Sequence, residues 1–115
     1  MRHYSWNDVT REEMNPLFAR RVIHGERITL AQVYLKKGCR VPLHSHENEQ
    51  LSNVLEGRLR FEIGGQEQVV GPGEVVHIPS GAPHLAEALE DCFCLDIFTP
   101  VREDWKRGDD AYLRR

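Results

Sequence analysis

His44 and His46 stand two residues apart within residues 38–57. In an extended segment, successive side chains alternate across the strand, so both imidazoles point to one side while Ser45 and Glu47 point to the other. Gln50 follows four residues after His46, at the start of an apolar stretch that can fold back beside the first. Further along, His84 sits behind a rigid turn containing Pro79, Gly81 and Pro83. Imidazoles that converge from separate segments commonly hold a metal. His44, His46, Gln50 and His84 therefore read as a site for one divalent transition metal, and the donor set suits Zn, Ni, Mn, Fe or Cu without choosing among them. All four donors are neutral, so such an ion keeps its full charge and attracts an anionic ligand. Gln50 either completes the coordination or orients His46 from behind.

Strands must position these side chains. Residues 28–36 alternate Ile28, Leu30, Gln32 and Tyr34 against Thr29, Ala31, Val33 and Leu35, with apolar residues on both faces. Such a strand is buried twice. Gln32 and Tyr34 are then pocket-lining hydrogen-bond groups that contact a substrate, or satisfied polar residues in an interface. Leu59, Phe61 and Ile63 alternate with Arg58, Arg60 and Glu62, and Gly64 with Gly65 makes a two-residue hairpin turn into residues 66–70. Residues 74–78 form another strand, on which His77 is structural or a pocket wall. His84, Ala86 and Ala88 share one face, where the alanines leave room beside the imidazole. Residues 92–99 set Phe93, Leu95 and Ile97 against Cys94, Asp96 and Phe98, which places a carboxylate inside an apolar run.

The flanks carry less information. Thr10 and Glu13 have capping-box spacing for a short helical turn that Asn15 and Pro16 stop. Residues 18–24 alternate loosely, as in a strand at an edge or a dimer seam, and His24 before Gly25 reads as a loop residue. Residues 102–115 form a charged tail anchored by Trp105 and Tyr112. With no repeat, no linker and no helix interleaved between strands, the chain reads as one all-β domain, residues 1–115, with its core at about 28–99.

Composition narrows the partners. At 115 residues the chain has room for one core. Its 15 Lys and Arg against 18 Asp and Glu give nothing that recommends nucleic acid, and a small metabolite or sugar suits this balance. No apolar run approaches a membrane span, and the amino terminus lacks the apolar segment of a secretion signal. Cys92 and Cys94 share a face of one strand, where a bridge is geometrically poor, and Cys39 makes the count odd. Reduced cysteines and a cytoplasmic location follow as expectations. Cys39 is a small apolar residue or a neighbour of the metal site.

The two histidine stretches, G-x5-H-x-H-x3-Q-x6-G and G-x5-P-x-G-x2-H, closely resemble the signature motifs of the cupins, small antiparallel β-barrels of the jelly-roll type that often hold one metal. Gln50 replaces the usual glutamate of the first motif, and Ala88 the asparagine that often ends the second. With Gln50, the run from Leu95 to Asp104 is similar to the small pectin-degradation cupins, which linearise unsaturated uronates to a keto-deoxy-uronate. That resemblance implies metal ligands at His44, His46, Gln50 and His84, a catalytic carboxylate at Asp96, and substrate contacts at Phe98 and Arg102. It also implies a homodimer and a small anionic sugar as substrate, while the charge balance and the lack of a long apolar run point to neither nucleic acid nor membrane as partner. The residues fit that role: desolvation would keep Asp96 protonated as a general acid, Arg102 can grip a carboxylate with a bidentate fork, and Phe98 offers the sugar an apolar wall. Alternatively, Asp96 and Arg102 pair with each other, or with Arg58 or Arg60, as structural ion pairs. A metal-dependent oxygenase of a small molecule and a non-catalytic sugar-binding module share the same three histidines.

Overall fold

The computed structural model describes residues 1–115. Ten strands follow in chain order: β1 (Glu12–Asn15), β2 (Phe18–His24), β3 (Thr29–Leu35), β4 (Arg40–His44), β5 (Glu49–Glu56), β6 (Leu59–Ile63), β7 (Gln66–Val70), β8 (Glu74–Ile78), β9 (His84–Ala88) and β10 (Cys92–Thr99). They form two antiparallel sheets, of order β1-β2-β3-β10-β5-β8 and β4-β9-β6-β7. One short helix, α1 (Glu103–Arg107), and two 3₁₀ turns, Trp6–Asp8 and Ala111–Leu113, complete the chain. No helix is long and apolar enough to cross a membrane.

Alternation along each strand decides what faces the space between the sheets. Ala31, Val33 and Leu35 of β3 are buried there, together with Leu59 and Phe61 of β6, Ala86 and Ala88 of β9, and Cys94 and Phe98 of β10. Burying such side chains is the main stabilising term, and truncating one the size of Phe61 typically costs about 3–5 kcal/mol. The same inward period places polar groups among them: Gln50 and Ser52 on β5, Asp96 on β10 and His84 on β9. Register gathers these groups, because Asp96 lies opposite Ser52, Phe98 opposite Gln50, and His84 opposite His44.

Three glycines fix the turns that set this register. Gly64 and Gly65 have φ of 56° and 81°, the left-handed pair that a two-residue hairpin between Ile63 and Gln66 demands. Gly57 has φ of 81°, and a Cβ there would meet the Asp91 carbonyl oxygen at 2.2 Å.

The amino-terminal expectations are corrected. Glu12–Asn15 is a strand rather than part of a helical turn: Glu12 and Glu13 pair with Arg20 and Ala19, and Met14 is buried in the core. The Asn15 side chain accepts a hydrogen bond from the Leu17 amide at 2.8 Å and closes the turn. Long-range ladder bonds and apolar burial outweigh the local capping pattern. In consequence β2 is an interior strand, with β1 on one side and β3 on the other, and no sheet edge.

Candidate metal centre and catalytic pocket

Three backbone carbonyls orient the three imidazoles. Nδ1 of His44 lies 2.7 Å from the Pro42 oxygen, Nδ1 of His46 2.9 Å from the Asn48 oxygen, and Nδ1 of His84 2.8 Å from the Ala82 oxygen. A carbonyl only accepts, so each ring carries its proton on Nδ1 and leaves the Nε2 lone pair free. The ligand atoms of the three residues lie within 4.8 Å of one another. Burial holds His44 and His46 down at about 4 and also lowers His84, with Arg102 and the neighbouring rings adding to the effect. At neutral pH all three are uncharged bases. Neutral imidazoles with their far nitrogens tied to carbonyls are what a divalent transition ion requires, so the residues fit such an ion.

Gln50 joins this group. Its Oε1 lies 3.1 Å from Nε2 of His46, while its amide nitrogen donates to the Ser52 hydroxyl at 2.8 Å. Buried Gln50 thus presents an oxygen donor beside the imidazole nitrogens.

His44, His84, Gln50, Asp96, Arg102 and Tyr112 line one cavity between the sheets. Asp96 has an Oδ1 that is sealed from solvent and has no hydrogen-bond partner. Desolvation raises its carboxyl to about 6, against the opposing pull of the Ser52 hydroxyl and the Arg102 charge. It pairs neither with Arg102 nor with Arg58 or Arg60, whose partners are Glu90 for the former and Glu62, Glu67 and Glu87 for the latter. A carboxyl group in this position can carry a proton into the cavity.

Arg102 is almost fully buried at 1% exposure. Its Nε and Nη2 donate to the two Asp104 oxygens at 3.0 and 2.8 Å, and Nη2 also donates to the Tyr112 hydroxyl at 2.9 Å. The guanidinium lies over Phe98 at 4.7 Å and over Trp105 at 4.3 Å. Here the bidentate fork expected for a substrate is corrected: Asp104 already occupies the Nε–Nη2 edge. Phe98 is buried on the cavity wall, edge-on to His46.

Gln32 and Tyr34 do not reach this cavity. On β3 the inward positions are Thr29, Ala31, Val33 and Leu35, so the two polar residues fall on the outer face. There Tyr34 stacks on Phe93 at 4.9 Å and donates to Gln32 Oε1 at 3.0 Å. The strand's apolar outer face concealed which side was the interior. His77 is also external, paired with Glu49 at 2.6 Å, and is no pocket wall. His24, at the end of β2, meets the buried Thr29 hydroxyl at 2.8 Å. Cys39 is in the core with its thiol pushed up to about 11 by burial, and all three cysteines are free. Asp104 and Ser52 went unsuspected in the sequence, where only their proximity to Arg102 and Gln50 hinted at them.

The cupin-domain family model matches residues 31–98, more than half of the chain. The chain belongs to the cupins. This cupin is similar to the structure of KdgF from Halomonas sp., at 26% identity and a TM-score of 0.80, over 86% of this chain and 94% of that one. An RmlC-like cupin from Shewanella frigidimarina superposes with a TM-score of 0.85 at 23% identity, covering 91% and 96% of the two chains, and shows the shared fold. A curated relative, dimethylsulfoniopropionate lyase DddQ from Ruegeria pomeroyi, is 34% identical over 62 residues, or 53% of this cupin. The cupin spans 31% of that relative's length.

Proposed function

We propose that this cupin is a metal-dependent enzyme that opens and ketonises unsaturated uronate monosaccharides of the kind released from pectin or alginate. The observation that carries the reading is Asp96: a desolvated carboxyl group with an unpartnered oxygen, on the wall of the cavity lined by His44, Gln50 and His84. Similarity to KdgF along nearly the whole of both chains supports it, as does the resemblance of Gln50, Asp96, Phe98 and Arg102 to the uronate-linearising pattern.

His44, His46 and His84 would hold the ion, with the Gln50 oxygen beside them, and bound there it would supply a Lewis-acidic anchor for substrate oxygens. The remaining chemistry belongs to the chain. The substrate is an enol ether bearing a carboxylate. Asp96 delivers its proton to the alkene carbon remote from the ring oxygen, and the ring oxygen's lone pair stabilises the cation that results. The bond between the ring oxygen and the anomeric carbon then breaks with its electrons on oxygen, which leaves a ketone. The anomeric hydroxyl loses its proton to form an aldehyde, and the Asp96 carboxylate can recover that proton. One proton enters and one leaves, so the net change is an isomerisation. Phe98 excludes water from one side, and Arg102 receives the substrate carboxylate.

The test is to add metal-analysed protein to freshly made unsaturated galacturonate and follow the ultraviolet absorbance of the conjugated alkene against the spontaneous rate. Acceleration that chelator and Asp96→Ala both abolish is the expected result. No acceleration by protein carrying stoichiometric metal, or full turnover by Asp96→Ala, would sink the proposal.

A further inference from the structure

Tyr112 reaches the cavity from the carboxy-terminal tail, outside every motif that carries the rest of the site. Its position is fixed from both sides. Leu113 is buried in the core, and Asp110 forms a buried ion pair with Arg20, the two residues being 1% and 2% exposed. The Tyr112 ring packs against His44 with centroids 4.8 Å apart, and it lines the same cavity as Asp96 and Arg102.

The protons around Arg102 can be counted. Nε donates to Asp104, and the two N–H groups of Nη2 go to Asp104 and to the Tyr112 oxygen. Nη1 has no hydrogen bond. Neither edge of the guanidinium can therefore offer two parallel free N–H groups, and Arg102 alone cannot grip a carboxylate by both oxygens. Asp104 also offsets much of the arginine's charge. Recognition at this point thus depends on placed donors more than on net charge. The adjacent free donor is the phenol. Tyr112 uses its oxygen to accept from Arg102, and no acceptor on the chain receives its own proton.

We propose that the Tyr112 hydroxyl and Arg102 Nη1 form a two-armed clamp for a substrate carboxylate, which makes Tyr112 a substrate-binding residue. The carboxylate itself comes from the uronate reading, and the clamp rests on that reading only to this extent. Asp104 is the brace that turns the guanidinium so that Nη1 remains free.

Tyr112→Phe isolates the claim, because it keeps the ring against His44 and removes one hydroxyl. With the metal-loaded full chain and unsaturated galacturonate, the variant is expected to raise KM about tenfold, the loss typical of one hydrogen bond to a charged group, while kcat and metal content stay near wild type and Tm falls by a few degrees because one N–H of buried Arg102 loses its acceptor. With the methyl ester of the same sugar, which lacks the anionic carboxylate, KM should be equal in variant and wild type. An unchanged KM for the acid, or the same rise for acid and ester, overturns the clamp. If the wild type does not turn over the uronate, saturated galacturonate and acetate are titrated against the fluorescence of Trp105, which stacks on Arg102. Binding weakened about tenfold by Tyr112→Phe then upholds the clamp although the uronate reaction has failed. Equal binding, or no binding to wild type, overturns it.

Discussion

Nε2 of His46 and Oε1 of Gln50 face each other at 3.1 Å, although neither has a proton to give. The His46 proton is on Nδ1, held by the Asn48 carbonyl, and its lowered pKa keeps the ring neutral. Gln50 cannot turn its amide nitrogen toward the ring while that nitrogen serves Ser52, whose own hydroxyl supports Asp96. Two lone pairs opposed inside a protein are costly unless a cation lies within reach of both.

Gln50→Glu is expected to tighten metal binding at least tenfold, since it adds a formal charge to a neutral donor set. The same charge reduces the Lewis acidity of the ion, so uronate turnover should fall. Competition with a chromogenic chelator, together with the absorbance assay, reads both effects.

His84→Ala should reduce bound metal from about one ion per chain to a small fraction of that. His77→Ala should leave metal content unchanged, because His77 lies on the outer face with Glu49. Metal analysis of the two variants side by side distinguishes the site from adventitious binding by surface histidine.

The pH dependence of turnover follows from Asp96. A general acid must be protonated, so kcat/KM should be flat at low pH and fall about tenfold per pH unit above the Asp96 pKa. That value is about 6 for the metal-free chain, and a nearby cation lowers it. Asp96→Asn should abolish the limb and most of the activity, as a pH series on both proteins would show.

Stability of the metal-free chain should fall as pH drops from about 6.5 toward 4. His44 and His46 bind protons more weakly folded than unfolded, so the unfolded chain takes up more protons across that window. Asp96 acts in the opposite sense between the ordinary carboxyl value of 3.8 and about 6, because the fold favours its protonated form. Two imidazoles outweigh one carboxyl. Thermal melts at successive pH values, with and without zinc, should show the loss and its reversal by metal.

Gly57→Ala is expected to destabilise the chain by about 3 kcal/mol. A Cβ there would fall 2.2 Å from a backbone oxygen, at a φ that alanine adopts poorly. Gly73, with φ of 81° and open space around it, should tolerate alanine better at the strain cost alone. Urea midpoints of the two variants test the difference.

Much of the site could be read from local pattern. Alternation put Asp96 and Phe98 on one face of β10 and His84 with Ala86 and Ala88 on one face of β9, because strand side chains obey a period of two whatever the strand packs against. The Gly64–Gly65 hairpin was equally legible, since few residues other than glycine accept two successive positive φ values. By contrast, period two leaves open which face is inside when both are apolar, and only sheet packing sent Gln32 and Tyr34 of β3 outward. Only long-range pairing with β2 turned Glu12–Asn15 into a strand.

By itself, then, the sequence determined the ligand types, their spacing and the strands that carry them, because these depend on neighbours along the chain. Tertiary structure alone decided that Asp104 occupies the edge of Arg102 meant for a ligand, that one oxygen of Asp96 has no partner, and that Tyr112 arrives beside His44. Each of those depends on where the tail after Pro100 runs. That path is set by burying Trp105 between the guanidinium groups of Arg20 and Arg102 and by packing Leu113 into the core, contacts between residues tens of positions apart that no local period encodes.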